Sequence, residues 1–196
     1  MATEHRKRGA ELEAAILDAA LTVMQTNGYD QMTMAQIATA AHTNKNAIYR
    51  RWDSKAAVVS AAARHYFKTH PDLLKRDIPN TGNLRTDLIQ LMQLPLPAIK
   101  VIGIHNLKAI ALDLFPNVSN IEFDFLNDNY FQRFLAEILQ HAAERGDLNT
   151  PPAKLSAAAK GQPTLLLLSY VLSERPYDEA AVITVVDDIL LPVLTK

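Results

Sequence analysis

The sequence predicts an all-α protein of about nine helices. Three observations carry that reading. Apolar residues recur at three- and four-residue steps along almost the whole chain. Prolines and Asn-Gly or Gly-Asp pairs cut this pattern into helix-length pieces. No stretch alternates with period two for long enough to require a strand.

Leu12, Ile16, Ala19, Ala20, Val23 and Met24 mark one face of a first helix, from about Gly9 to Thr26. Asn27-Gly28 ends it, because Gly28 takes a left-handed conformation without a Cβ penalty. After the polar turn Tyr29-Asp30-Gln31, a short helix starts at Thr33. Thr33 and Gln36 have capping-box spacing, and Met32 and Ile37 sit where a hydrophobic staple packs. The helix runs to about Ala41, where His42-Thr43-Asn44 breaks the alanine run. Asn44 or Thr43 then caps a second short helix, Lys45 to Arg51. Asp53-Ser54 caps a third, long one from Lys55 to about Thr69, which Pro71 ends.

Further helices are expected at about 84–94, 98–114, 119–145, 152–173 and 178–194, separated by Pro95 and Pro97, Pro116-Asn117, Gly146-Asp147 with Pro151-Pro152, and Arg175-Pro176. Pro163 predicts a kink or break within 152–173. Ile183-Thr184-Val185-Val186 is β-branched, but its pattern with Ala181, Ile189, Leu190 and Leu194 is helical.

Composition narrows the function. The chain has 196 residues, 48% apolar and 21% charged, so it is long enough to bury a core and too apolar for wholesale disorder. With no cysteine, disulfides, thiolate metal sites and cysteine nucleophiles are out. The longest apolar run, Thr164 to Leu172, is about half of what a bilayer needs. The basic start has no apolar region behind it, so no signal peptide is expected, and the expectation is a cytoplasmic protein without a membrane span.

Charge is unevenly spread. Residues 1–70 carry 9 Lys and Arg against 6 Asp and Glu, and residues 71–196 carry 11 against 15, so +3 and −4 make up the net −1. Lys45, Arg50, Arg51 and Lys55 face only Asp53 between positions 42 and 55. Such a cluster beside an acidic remainder suits a local polyanion contact, although a solvated helix face has the same composition.

Two short capped helices joined by a tight turn, the second one basic, have the form of a helix-turn-helix. A seven-residue helix is about 10 Å long and enters a major groove about 12 Å wide. Ile37, Ala38 and Ala41 on the first helix and Ile48 and Trp52 beyond the turn supply a small core that fixes the angle. Lys45, Asn46 and Ala47 are then expected outward, Lys45 donating to guanine, Asn46 bridging adenine and Ala47 offering a methyl contact. Thr43 and Asn44 lead into that tip. Tyr49, Arg50, Arg51 and Lys55 are placed for phosphates, as is Thr33 at a helix start. Arg6, Lys7 and Arg8 form an arm for backbone or minor-groove contact.

The stretch from Thr33 to Lys55 resembles the DNA-binding signature of the TetR family of bacterial repressors. The family shows Thr, Ile-Ala, Ala-Gly-Val with a polar cap, Leu/Ile-Tyr, an aromatic, and Ser/Asn-Lys. Thr33, Ile37, Ala38, Ala41, Ile48, Tyr49, Trp52, Ser54 and Lys55 fill these positions, and Asn27-Gly28-Tyr29 fits upstream. His42-Thr43 departs from the usual Gly-Val, and Ala142 to Leu148 has a familiar form.

The resemblance implies a DNA-binding domain over 1–54 and a ligand-binding and dimerisation domain over 55–196, with 55–70 as the connecting helix. It implies a homodimer paired through the last two helices, for which Leu165, Leu168, Leu172, Val182, Val185 and Ile189 are the candidates. Two-fold symmetry would set the reading helices roughly 34–36 Å apart on a palindromic double-stranded operator. A small-molecule effector would bind in the C-terminal domain, tilt the connecting helix and release DNA. Phe67, Met92, Ile102, His105, Phe115, Phe123, Phe131 and Tyr170 are the candidate wall. Core packing is the competing reading for each aromatic, and His105 is the best polar candidate.

No catalytic, cofactor or metal residue is assigned. There is no glycine-rich phosphate loop, no Gly-x-Ser-x-Gly and no His-Glu-x-x-His. Glu137 and His141 share a helix face but lack the second pair that a di-metal bundle needs. The function expected is a sequence-specific repressor and not an enzyme. A helical ligand-binding or interaction protein on the same scaffold, without DNA binding, is the alternative.

Overall fold

A computed structural model describes residues 9–73, 77–114 and 130–195, and every regular element among them is helical. The chain divides into two compact units, Met1–Leu73 with Ala109–Ile121, and Leu74–Lys108 with Glu122–Lys196. Phe115, Phe123 and the arm residues Arg6, Lys7 and Arg8 lie outside the described residues, as does 119–129 of the helix expected over 119–145.

The first unit holds α1 (Ala10–Asn27), α2 (Met34–Ala40), α3 (Lys45–Tyr49) and α4 (Lys55–Thr69). Ile16, Ala20 and Met24 of α1, Ile37 and Ala38 of α2, Ile48 of α3 and Val58, Val59 and Ala62 of α4 are buried together with Tyr29 and Met32. Each full burial of a side chain such as Ile37 or Ile48 contributes roughly 1.5–3 kcal/mol, which is what keeps helices this short folded. α4 packs against α1, so the boundary between the units falls after the connecting helix rather than before it. Phe67 is buried on α4.

The second unit is built on α5 (Leu84–Gln93), α8 (Tyr130–Arg145), α9 (Ala157–Ser173), α10 (Glu179–Val185) and α11 (Leu191–Leu194). Leu88, Leu91, Met92, Phe134, Ile138, Leu139, Leu167, Val182, Val185, Val186, Leu190 and Leu194 form one apolar core. The buried Tyr177 phenol donates to the Met92 carbonyl at 2.8 Å, and burial pushes its pKa up, so it remains a donor.

Three boundaries differ from expectation. The helix expected over 98–114 is two, α6 (Leu96–Ile102) and α7 (Ile104–Leu114), because Gly103 takes φ +86° between them. α9 starts at the cap Ser156, behind a single 3₁₀ turn at Pro152–Lys154, and continues through Pro163 without interruption. The last helix widens into a π turn at Val186–Leu190. Pro192 explains this: it lacks an N–H, and its ring collides with the carbonyl four residues back, so the turn before it opens. Asp187 on that turn accepts both Nε (2.6 Å) and Nη2 (2.8 Å) of Arg85, which lowers the carboxyl pKa and raises that of the guanidinium.

A buried carboxylate organises the start of α5. Asp87 is fully buried. Its Oδ1 accepts the Thr81 amide and hydroxyl, both at 2.7 Å, and its Oδ2 lies 3.3 Å from Arg145 Nη2. Arg145 also donates to Asn80 and Asp147. The stretch of family form at 142–148 thus ends α8 and turns its arginine back onto α5. Gly146, at φ +82°, ends the helix there.

Candidate DNA-binding interface

The helix-turn-helix is assembled by its caps. Thr33 Oγ1 accepts the Gln36 amide at 3.2 Å while Gln36 Oε1 accepts the Thr33 amide at 2.7 Å, so the expected capping box is formed. At the other end Thr43 N donates to Ala38 O at 2.8 Å, which requires the residue between Ala41 and Thr43 to take the left-handed region. That residue is His42, at φ 54°. Asn44 then caps α3, its Oδ1 accepting from Ala47 N at 3.0 Å.

A Cβ in this region costs roughly 1–2 kcal/mol, of which glycine's extra chain entropy returns about half. His42→Gly is therefore expected to stabilise the chain by about 0.5–1 kcal/mol and raise the melting temperature by roughly 2 °C, read by thermal denaturation. A lower melting temperature would show that the imidazole contributes more than its backbone costs.

α3 splits into an inner and an outer face. Ile48 is buried as expected, but so is Ala47 at 3% exposure. The expected methyl contact from Ala47 is thus corrected: its side chain wedges α3 against the first unit's core. Lys45, Asn46, Tyr49 and Arg50 are exposed, Tyr49 to 51%. Among the described residues Lys45 and Arg50 have no hydrogen-bond or ion-pair partner, so both charges are presented outward. Thr33 and Asn44 are exposed with their oxygens engaged in capping, and Thr43 is half-buried.

Two of the expected phosphate holders are turned back onto the protein. Arg51 Nη1 donates to the carbonyl of Ala47 at 3.0 Å, and its Nε lies 3.9 Å from Glu13. Lys55 donates to the carbonyl of Tyr29 at 2.9 Å and sits over that ring, 4.2 Å from its centroid. Glu13 and Tyr29 lie on separate elements, and no local spacing links them to Arg51 or Lys55. The four cations of the basic cluster thus divide into two outward and two inward.

The described effector candidates fall in both units. Phe67 belongs to the first unit's core. In the second unit Met92 and Ile102 are buried, Phe131 packs against the core, and Tyr170 meets Tyr177 edge-on and lies under Arg175. His105 is not an interior residue: its side chain is 64% exposed, and Nδ1 pairs with Glu174 at 3.0 Å beside Lys108 at 2.7 Å. Hydrogen bonds from Lys108 and, after it, His105 hold the Glu174 carboxyl below its ordinary range. The apolar periodicity around His105 continues one turn too far, because Gly103 restarts the helix and rotates its face.

The interface candidates also divide. Val182 and Val185 are fully buried within their own chain, which corrects their assignment to a dimer face. Leu165 is 56% exposed, Leu168, Leu172 and Ile189 are half-buried, and Ile183 is 43% exposed. Of α9 and α10 it is the 165–168–172 stripe and Ile183 that face outward.

Comparison with known proteins matches this geometry. The family model for bacterial regulatory proteins of the tetR family matches residues 16–62, which run from within α1 to the middle of α4. The chain is 31% identical to an HTH-type transcriptional regulator of Mycobacterium tuberculosis over 94% of this chain and 88% of that one. It is also 31% identical to the DNA-binding transcriptional repressor TetR of Mycobacteroides abscessus over 94% of each. The structure of the regulator FadR from Bacillus subtilis in complex with stearoyl-CoA superposes with a TM-score of 0.59 at 22% identity, over 92% of this chain and 98% of that one. A capped pair of short helices with two outward cations is thereby placed among proteins that use such a pair to read DNA, and the chain belongs to the tetR family of bacterial transcriptional regulators.

Proposed function

We propose that this regulator is a homodimeric repressor that holds a palindromic operator through two copies of α3 and is released by a small-molecule effector. The outer face of α3 carries the reading: Lys45 and Asn46 meet base edges in the major groove, while Tyr49 and Arg50 hold phosphates. Thr33 and Asn44 fix these side chains in place through their caps.

The dimer rests on the second unit. Leu165, Leu168 and Leu172 recur at i, i+3 and i+7 on α9 and are open to solvent or half-open. Pairing two such stripes, with Ile183 of α10 and Ile189 of the π turn beside them, removes apolar surface that a monomer leaves in water. The effector is seated among Met92, Phe131 and Tyr170, which share or pack against one core. Release then requires only that it bind more tightly to the spacing of reading helices that does not fit the operator. The protein works in the cytoplasm, without catalysis. Among its described residues no single helix is long and apolar enough to cross a membrane.

Leu165→Glu tests the arrangement. Wild type is expected to sediment as a dimer and the variant as a monomer with unchanged helicity. Because one reading helix raises the effective concentration of the other, the variant's affinity for a palindrome should fall roughly 100-fold or more, while its affinity for a half-site stays the same. A dimeric Leu165→Glu variant, or a wild-type monomer at micromolar concentration, would refute this interface.

A further inference from the structure

We propose that Asp113, near the end of α7, is a positioning residue for DNA reading, acting through Tyr29 on Lys55 and the joint between α3 and α4. It rests on the DNA-reading role of α3 and extends it to a residue 84 positions away from Tyr29 in sequence.

Tyr29 is 2% exposed, in the turn after α1. Its hydroxyl donates to Asp113 Oδ2 at 2.5 Å. Burial and the carboxylate both push the phenol pKa up, so the phenol stays a donor. Both residues belong to the first unit. The same tyrosine accepts the Lys55 ammonium on its carbonyl and over the face of its ring.

Lys55 needs that reception. It is the first residue of α4, where the helix dipole disfavours a cation. Ser54 Oγ caps the same helix by accepting from Ala57 N at 3.1 Å. With the ammonium held on Tyr29, the entry of α4 is fixed at two points. Only Arg50 to Ser54 separate this entry from the end of α3, so the pose of α3 follows the pose of the α4 entry. Without Asp113 the buried phenol loses this short bond, the ring is held less firmly, and Lys55 loses a fixed surface on which to rest.

The test uses the full chain and a duplex selected by wild type from a random pool. Asp113→Ala and Tyr29→Phe are each expected to weaken binding to it about fivefold, the worth of roughly one hydrogen bond, with affinity expressed per folded molecule. The double variant should lose no more than either single one. Asp113→Asn keeps an acceptor and should recover most of the loss. The second readout is Lys55 itself: in Asp113→Ala its amine should be acetylated faster, relative to the exposed Lys68 on the same helix, as followed by peptide mass spectrometry.

Wild-type affinity in Asp113→Ala, tighter binding, additive losses in the double variant, or unchanged Lys55 labelling would each overturn the proposal. A loss that disappears once affinity is corrected for the folded fraction would also overturn it, since that marks a purely structural contact. Failure of wild type to select any duplex would instead refute the DNA-reading role itself.

Discussion

Asp87→Ala is expected to lower the stability of the chain by about 3 kcal/mol, and thus the melting temperature by roughly 6–12 °C for a chain of this size. The carboxylate is fully buried and accepts three hydrogen bonds, two from Thr81 and one from Arg145. Removing it takes the acceptor from the Thr81 amide, which costs more unpaired than it contributes paired, while the Thr81 hydroxyl keeps the Asn83 carbonyl at 3.4 Å. Arg145 suffers less, since its side chain is 24% exposed and keeps Asp147 and Asn80. That places the effect at the low end of the 3–5 kcal/mol found when a buried ion pair is broken. Asp87→Asn retains an acceptor for Thr81 and should lose about half as much. Thermal denaturation followed by circular dichroism reads both. A melting temperature within a degree or so of wild type for Asp87→Ala would mean that the cluster contributes nothing net.

Lys45→Ala should give the largest effect on DNA reading of any single substitution on the outer face of α3. Lys45 is exposed at the tip of α3 and unpaired among the described residues, so removing its ammonium disturbs nothing inside the protein. Losing a base-edge contact costs about 1–3 kcal/mol, or roughly 10- to 100-fold in affinity, and relaxes preference at one position of the site. Arg50→Ala should weaken binding to all sequences alike and reduce the slope of log affinity against log salt by about one. Titrations of both variants against a selected duplex and its single-base variants, at two salt concentrations, separate these roles. Equal, sequence-blind losses from both substitutions would remove Lys45 from base reading.

The helix-turn-helix was the most legible part of the sequence because each of its determinants is local. Thr33 with Gln36, Asn44 and Ser54 all work within three residues of themselves, and spacing alone reveals them. The errors at the site arose where a long-range partner decides the outcome. Lys55 and Arg51 read as phosphate holders by type and position, yet Tyr29 engages the first and Glu13 lies 3.9 Å from the second. Ala47 read as an outward methyl, but a five-residue helix must bury two side chains to hold its angle, and only Ala47 and Ile48 are apolar and inward.

In the second unit the pattern was sufficient for helices and insufficient for faces. Val182, Val185 and Ile183 are alike in composition, and only packing against α5 and α8 tells the buried pair from the exposed residue. The Asp87–Arg145 contact joins residues 58 positions apart. His105 shows the same limit, since a single glycine two residues upstream resets the helix and turns an apparent interior position to the surface.

The division of α3 into an inner pair and an outer set has an evolutionary consequence. Ala47 and Ile48 carry the folding duty of this element, whereas Lys45, Asn46, Tyr49 and Arg50 contribute little to it. Substitutions at those four outer positions are therefore nearly free of any foldability toll, and descendants of this gene can acquire new target sites by drift while the scaffold beneath stays unchanged.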